Sequence, residues 1–116
     1  MTYERIIVCG GRKFEDSTLV HRTLDHYRPR MQALACGGAR GVDTFAWDWG
    51  WKNNFHCERF MANWKEHGRA AGPIRNQFML EKFKPTLVLA FPGGSGTGDM
   101  VQRADRAGVP VVRIVG

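Results

Sequence analysis

The chain has 116 residues, of which 43% are hydrophobic and 24% are charged, and this composition is ordinary for one globular domain with a single core. No apolar run is long enough to span a membrane, and the first residues lack a basic segment followed by an apolar stretch. We therefore expect neither a membrane anchor nor a secretory signal. The formal net charge of +6 favours anionic partners such as nucleotides, nucleic acid or anionic surfaces.

Five short segments predict β-strands. Several of them are continuously apolar, which is typical of strands that are covered on both faces. The predicted strands are Arg5–Cys9, Ala33–Cys36, His56–Phe60, Thr86–Phe91 and Pro110–Ile114.

Four helices are predicted between the strands from apolar residues that recur at helical spacing. Pro73 suits the first position of the third helix, and Thr97 is a candidate N-cap for the fourth. Gly108 ends the fourth helix, and Pro110 leads into the last strand. The apolar positions of the four helices are Val20, Leu24 and Tyr27; Val42, Phe45, Ala46 and Trp49; Ile74 and Phe78; and Met100, Val101, Ala104 and Ala107.

This alternation predicts an α/β fold, with residues 1–116 forming a single Rossmann-like domain. We expect an open parallel sheet of about five strands with helices on both faces. Ligands of such sheets bind outside the carboxyl ends of the strands, near the switch in strand order. The segment Met61–Gly72 and three glycine-rich loops lie at those ends. The residues expected to meet there are Gly10, Gly11 and Arg12; Gly37 to Asp43; Arg75 and Asn76; and Gly93 to Asp99.

Two of these loops combine glycines with the start of a helix. They are Cys36–Asp43, which reads Cys-Gly-Gly-Ala-Arg-Gly-Val-Asp, and Pro92–Asp99, which reads Pro-Gly-Gly-Ser-Gly-Thr-Gly-Asp. Glycine lets the backbone approach a ligand closely, and a helix start offers unpaired N–H groups with a partial positive charge. Two such loops in one small domain point to a ligand that contains phosphate. The alternative is that turns between strands and helices simply need glycine.

The familiar nucleotide and metal motifs are absent from the sequence. There is no Gly-x-x-x-x-Gly-Lys-Ser/Thr, and the pair Gly94-x-Gly96 lacks the third glycine of dinucleotide-binding folds. The histidines form no metal-binding pattern, so we expect no metal ion and no separate cofactor. Cys9, Cys36 and Cys57 are widely spaced and odd in number. This predicts reduced thiols and a cytoplasmic location, not a disulfide framework or a zinc site.

Several segments resemble the SLOG superfamily, named for the Smf/DprA proteins and the LOG phosphoribohydrolases. Gly37–Asp43 is similar to the Gly/Ala-Arg-Gly-Ile-Asp motif of DprA/Smf, and Pro92–Thr97 to the Pro-Gly-Gly-x-Gly-Thr motif of LOG. Arg75–Met79 resembles the Arg-x-x-x-Met element of LOG. With Gly10–Arg12 and Ala71–Asn76, these segments look like the small YspA/YpsA-related subfamily. The resemblance spans nearly the whole chain and implies a Rossmann-like fold that binds nucleotides or nucleotide-derived molecules, but no particular reaction.

One departure from LOG bears on catalysis. The LOG motif continues to an acid three residues beyond the threonine, where this chain has Met100, and Asp99 is the nearest carboxylate. Asp99 is a candidate for contacting a ribose hydroxyl or for stabilising positive charge during glycosidic cleavage. The alternative is a structural acid in the first helical turn. Arg75 is the second candidate catalytic residue, because it lies in the LOG-like element.

Arg12, Arg40 and Arg75 are candidate phosphate ligands, because a guanidinium group matches two phosphate oxygens at once. The alternative for each is a surface cation or an internal partner for a carboxylate. Asp43 is expected to cap the second helix or to brace its loop. The candidate ligand-binding residues are Gly10, Gly11, Arg12, Gly37, Gly38, Arg40, Arg75, Asn76, Gly93, Gly94, Ser95, Gly96, Thr97 and Asp99.

Trp47 and Trp51 fall four residues apart, on the helix face opposite the apolar face that carries Trp49. Large exposed aromatic residues often mark an interface, so we expect a homo-oligomer with both tryptophans at the contact. The alternative is that another part of the same chain covers them.

The sequence thus predicts a protein that binds a nucleotide or nucleotide-derived molecule, to sense or to sequester it. Two alternatives stay open: a LOG-like hydrolase that cleaves the N-glycosidic bond of nucleoside monophosphates, and a DprA-like nucleic-acid-binding module. Met100 at the LOG acid position disfavours the first. The small size and few clustered lysines disfavour the second, although the charge of +6 keeps it open.

Overall fold

Strands and helices alternate along the chain in a computed structural model that describes residues 3–115. The strands are β1 (Glu4–Cys9), β2 (Met31–Cys36), β3 (Cys57–Arg59), β4 (Leu87–Ala90) and β5 (Val111–Arg113). The helices are α1 (Ser17–Tyr27), α2 (Val42–Lys52), α3 (Trp64–His67), α4 (Ala71–Phe83) and α5 (Ser95–Arg106). Short 3-10 turns follow α1 and α3, at Arg28–Arg30 and Gly68–Ala70.

The five strands form one parallel sheet in the order β3-β2-β1-β4-β5. The chain adds β2 and β3 on one side of β1 and then returns to add β4 and β5 on the other side. The switch in strand order therefore lies between β1 and β4, and the loops at the carboxyl ends of these two strands border it. The predicted α/β, Rossmann-like fold is confirmed.

Helices pack on both faces of the sheet, as predicted. In β1, Ile6 and Val8 point to one face and Ile7 to the other, and all three are fully buried. The first face packs against α1 and α2, and the second against α4 and α5. The longest helix has 13 residues, and within residues 3–115 none is both long and apolar enough to cross a bilayer.

Two helix starts differ from the prediction. Helix α4 begins at Ala71, so Pro73 is its third residue; proline is tolerated there because N–H groups of the first turn have no partner inside the helix. Helix α5 begins at Ser95 with Gly94 as its N-cap. The predicted N-cap, Thr97, is instead the third residue of the helix, and its side chain is buried against Gly93.

The expectation that Trp47 and Trp51 share an exposed face is wrong for Trp47. Trp47 is half-buried against the core, and the guanidinium carbon of Arg59 lies 4.0 Å from the centre of its ring. Residues of the same chain therefore cover it, as the alternative held. Trp51 is 81% exposed.

Candidate functional site

A cavity of about 710 Å³ opens at the carboxyl end of the sheet. Its walls come from the loops after β1 and β2, from the start of α5 and from the segment Trp64–Asn76. Pockets for small molecules are typically about 300–1,000 Å³, so the volume suits a small organic ligand. The predicted site residues that line the cavity are Gly10, Gly11, Arg12, Gly37, Arg75, Asn76, Gly94, Ser95, Gly96, Thr97 and Asp99.

Three predicted site residues do not line this cavity. A Cβ added at Gly38 would meet the side chain of Met61, and the side chain of Arg40 is exposed. Gly93 is packed tightly, since a Cβ there would meet Thr97 and would lie 2.7 Å from the backbone nitrogen of Gly11. These three residues hold or flank the loops.

At the start of α5, backbone groups without a capping side chain face the cavity. Its N-cap, Gly94, has no side chain to accept from the first N–H groups, and the first intrahelical hydrogen bond runs from Gly98 N to Gly94 O, at 3.0 Å. A Cβ added at Gly94 or Gly96 would have no atom within 4 Å. Neighbouring side chains therefore do not require glycine at these two positions. What the glycines provide is an accessible helix N-terminus, whose N–H groups and partial positive charge favour anions.

The loops after β1 and β4 are held together at the floor of the cavity. Gly11 N donates to Pro92 O at 2.9 Å, and Phe91 N donates to Cys9 O at 2.8 Å. A Cβ added at Gly10 would lie 2.5 Å from the Val42 side chain, so this position accepts no larger residue without displacement. These contacts fix the start of α5 beside the end of β1.

The space beside the glycines in the loop after β2 is occupied by the protein's own atoms. The guanidinium group of Arg75 lies against Gly37, and the Gly11 carbonyl lies where a Cβ on Gly41 would stand. Asp43 Oδ2 accepts from the backbone nitrogen of Ala39 at 3.0 Å, which braces the loop as expected.

Arg75 ties two parts of the site together. Its Nη1 donates to the carbonyl oxygens of Gly37 and, at 3.2 Å, of Phe60, and its Nε donates to Asn76 Oδ1 at 3.0 Å. Arg75 is only partly buried and lines the cavity, so it combines a structural role with a position open to a ligand.

Asp99 lines the cavity and is held by two partners. Its Oδ2 accepts from Asn76 Nδ2 at 3.0 Å and from Arg103 Nε at 2.8 Å. Arg103, one turn further along α5, also donates to Gln77 at 3.0 Å. Arg103 is not among the residues predicted from the sequence, although its i, i+4 spacing from Asp99 on one helix was available to suggest this pairing.

Sequence reasoning also missed two side chains on the cavity wall, Trp64 and Arg69. The guanidinium carbon of Arg12 lies 5.0 Å from the centre of the Trp64 ring. The available signal was the Asn63-Trp-Lys-Glu66 run, which has the spacing of a capping box and lies within a segment already assigned to the carboxyl edge.

Burial sets the electrostatics of the inner wall. It raises the pKa of Asp43 from 3.8 to about 6, although hydrogen bonds from backbone N–H groups and the nearby cations Arg75 and Arg12 act in the opposite direction. Burial also raises the pKa of Cys9 to about 12, so its thiol stays protonated at neutral pH. Asp43 is thus a cavity carboxyl whose charge changes just below neutral pH.

No group of three or more His, Cys, Asp or Glu side chains that could hold a metal ion occurs within residues 3–115. The cavity instead combines open backbone N–H groups with three arginines, Arg12, Arg69 and Arg75. This chemistry suits an anionic group, and phosphate matches both the guanidinium forks and a helix N-terminus.

Comparison with protein-family models gives a match over residues 4–67, to the YspA, cpYpsA-related SLOG family. The chain belongs to this family. The matched region runs from β1 to the end of α3, so it includes the loops after β1 and β2 and ends before α4 and α5.

Two known proteins are similar over most of the chain. The gene 61 protein of Mycobacterium phage D29 is 36% identical over 118 residues, which cover 93% of this chain and 94% of that protein. The X-ray structure of DNA processing protein A (DprA) from Streptococcus pneumoniae superimposes with a TM-score of 0.81 and 16% identity. The superposition covers 98% of this chain and 51% of DprA, so the chain corresponds to about half of that protein. At this identity the likeness establishes the fold.

Proposed function

We propose that the protein binds a nucleotide or nucleotide-derived molecule, to sense or sequester it, with a phosphate at the start of α5. The observation that carries this proposal is the open N-terminus at Gly94–Thr97, which faces a cavity beside the switch in strand order. The first-turn N–H groups and the helix dipole favour an anion there. Membership of a SLOG family supports the same class of ligand.

The cavity is larger than a phosphate alone requires. Its volume of about 710 Å³ leaves room for a sugar and a base beside the phosphate. Arg12, Arg69 and Arg75 add positive charge along the walls, and Asp99 places a carboxylate within the same space. A carboxylate near a phosphate site can accept hydrogen bonds from ribose hydroxyls.

The test uses glycine-to-valine variants with AMP and GMP as probes in isothermal titration calorimetry. Gly94→Val puts a branched side chain over the open N–H groups, and we expect affinity to fall at least about tenfold, or about 1.4 kcal/mol. Gly98→Val is the matched control, because Gly98 is equally uncrowded and does not line the cavity.

Both variants should keep the circular-dichroism spectrum of the wild type. The proposal is refuted if neither AMP nor GMP binds the wild type, or if Gly94→Val binds as the wild type does. It is also refuted if the two valine variants lose affinity equally, since the loss would then not depend on the cavity.

A hydrolase is the second candidate, because Asp99 lines the cavity near the proposed phosphate site. Cleavage of an N-glycosidic bond builds positive charge on the ribose, and a carboxylate must stabilise it. The two hydrogen bonds that Asp99 accepts from Asn76 and Arg103 hold its carboxylate in place. We expect weak or no release of free base from AMP and GMP, measured by chromatography. Robust release that is lost in Asp99→Asn would favour the hydrolase.

Nucleic-acid binding is the third candidate, favoured by the net charge of +6 and by the fold shared with a DNA processing protein. Binding driven by phosphate contacts weakens steeply as salt rises, whereas a mononucleotide in a cavity depends less on salt. Fluorescence anisotropy with a single-stranded oligonucleotide at several salt concentrations separates the two cases. We expect little binding at physiological salt.

We propose separately that the protein self-associates, with Trp51 at the contact. This side chain is 81% exposed and borders a surface hollow that also contains Phe55 and His56. Burial of one large aromatic residue at a contact is a typical source of interface energy. We expect light scattering at about 50 µM to report a dimer or larger species that Trp51→Ala converts to a monomer. A monomeric wild type would remove this proposal.

A further inference from the structure

Trp64 is a large aromatic side chain in the wall of the cavity. It is 48% exposed and lines the cavity together with Arg12 and Arg69. An exposed tryptophan leaves apolar surface in water, which is unfavourable unless a partner covers it.

The local backbone fixes the position of Trp64. Trp64 is the first residue of α3, and Asn63 caps this short helix: its Oδ1 accepts from Glu66 N at 3.1 Å, and its Nδ2 donates to Glu66 Oε2 at 2.9 Å. A Cβ added at Gly72 would lie 3.4 Å from the edge of the Trp64 ring, so the ring borders the start of α4. The ring is therefore positioned by its own turn and by its neighbour in space.

The ring already contacts one flat cationic group. The guanidinium carbon of Arg12 lies 5.0 Å from the ring centre, within the range of a cation–π interaction. A face that accepts a planar guanidinium also suits the planar rings of nucleobases, which stack on aromatic side chains with little dependence on base identity. A base stacked on this face takes the place of the Arg12 guanidinium. Arg12, which lines the same cavity, is then available to pair with phosphate.

The rest of the cavity supplies the complementary half of a nucleotide. The open helix start at Gly94–Thr97 suits the phosphate, and the ring of Trp64 suits the base. Among the described aromatic side chains, Trp64 alone lines this cavity. An inorganic anion or a sugar phosphate would use the helix start and leave the ring exposed.

We propose that Trp64 is the surface on which the base of the ligand stacks, so that the ligand is recognised through both base and phosphate. This inference rests on the proposed function, because it assumes a phosphate at the start of α5. It assigns Trp64 to ligand recognition and makes it the main source of preference for a nucleotide over a phosphate without a base.

The test compares AMP and GMP with ribose 5-phosphate, which has the same phosphate and sugar but no base. In the wild type we expect the nucleotides to bind about 5- to 150-fold more tightly than ribose 5-phosphate, the range for stacking one base on an aromatic side chain. Trp64→Ala should remove this preference and leave ribose 5-phosphate affinity nearly unchanged. Trp64→Phe should keep part of it, and Tyr3→Ala, which alters an exposed aromatic residue outside the cavity, should keep all of it.

The ratio of the two affinities makes the test specific. A general disturbance of the site, including the loss of the Arg12 contact, would weaken the binding of both probes alike and leave the ratio of their affinities unchanged. An unchanged ratio in Trp64→Ala would therefore overturn the inference. Equal affinity of the wild type for AMP and ribose 5-phosphate would also overturn it. If Gly94→Val abolished the binding of both probes in that case, the proposed phosphate site at the start of α5 would still stand. If the wild type binds none of these probes, the proposed function fails together with the inference.

Discussion

The loop after β2 and the loop that opens α5 both place glycines at the carboxyl end of the sheet, and they differ in what occupies the space beside those glycines. In the first, Arg75, Met61 and the Gly11 carbonyl stand where added Cβ atoms would lie. In the second, the positions beside Gly94 and Gly96 are open and face the cavity. The first loop therefore uses glycine for close packing. The second uses it to leave backbone N–H groups accessible.

Because the two loops differ in this way, one cavity can be both rigid and accessible. The filled loop carries Asp43 and is tied to α4 through Arg75, so it forms a fixed wall. The open loop is fixed at Gly93, which packs against Thr97 and Gly11, while the positions beside Gly94 and Gly96 remain open. A preorganised wall opposite accessible donors is a favourable arrangement for binding a charged group, since little conformational entropy is lost on association.

The largest expected effect is in the filled loop, at Gly41. Gly41 has φ +72°, and a Cβ there would meet the carbonyl oxygen of Gly11. We expect Gly41→Ala to lower the free energy of unfolding by about 3 kcal/mol, because a strained backbone conformation and a steric overlap add together. Urea denaturation measures the loss.

Gly108→Ala is the matched control for Gly41→Ala. Gly108 has a similar φ of +75°, but a Cβ added there has no atom within 4 Å. Only the conformational cost remains, so we expect a loss of about 1 kcal/mol. Equal losses in the two variants would show that the space beside Gly41 is not filled as described.

The next effect concerns Asp43, which braces the filled loop. Burial raises its pKa from 3.8 to about 6, so between about pH 4 and 6 the folded state holds the proton more tightly than the unfolded state. Stability contributed by this group is therefore present at low pH and is lost as the pH rises through that window. At about 1.4 kcal/mol per pKa unit the loss is about 3 kcal/mol.

The Asp43→Asn variant isolates this effect, because asparagine can still accept from Ala39 N and carries no charge. We expect the stability of the variant relative to the wild type to increase by roughly 3 kcal/mol between about pH 4 and pH 7, measured by urea denaturation at each pH. A difference that stays constant across this range would show that Asp43 is not held in a desolvated position.

The fold was predictable because each element carries its own local pattern. Short strand-like segments, several of them continuously apolar, marked all five strands, and helical spacing of apolar residues marked the four longer helices. The short helix α3 has no apolar periodicity and was missed, together with the aromatic residue that begins it. Helical spacing also placed Trp47 on an outer face, but Arg59 from β3 covers it, and no pattern within α2 reports on a neighbouring strand.

The difference between the two glycine loops was not predictable. Both runs read as glycines before a helix, and the residues that fill the first one, Met61 and Arg75, lie more than 20 positions further along the chain. Only the paths of that later segment and of Gly11, which lies earlier in the chain, decide which loop is closed. Thr97 was misassigned as an N-cap for a related reason: threonine favours that position locally, whereas its contact with Gly93 places it inside the helix.

The smallest expected effect is in the open loop, where an added methyl group should help folding and hinder binding. Gly96 and Gly98 both lie in the first turn of α5 with no atom within 4 Å of an added Cβ. Alanine is a better helix former than glycine by up to about 1 kcal/mol, so Gly96→Ala and Gly98→Ala should each raise the free energy of unfolding by about 0.5–1 kcal/mol. Thermal or urea denaturation without ligand measures this gain.

The two variants should differ in their affinity for AMP. Gly96 lines the cavity and Gly98 does not, so only Gly96→Ala places its methyl group where the proposed phosphate approaches the backbone. We expect Gly96→Ala to lose AMP affinity by severalfold, or about 1 kcal/mol, while Gly98→Ala keeps it. Equal affinity in the two variants would mean that the ligand does not approach the first turn of α5, whatever their gain in stability. A gain in stability paired with a loss of affinity at Gly96 alone would show that this glycine is kept for the ligand, at a cost to the fold.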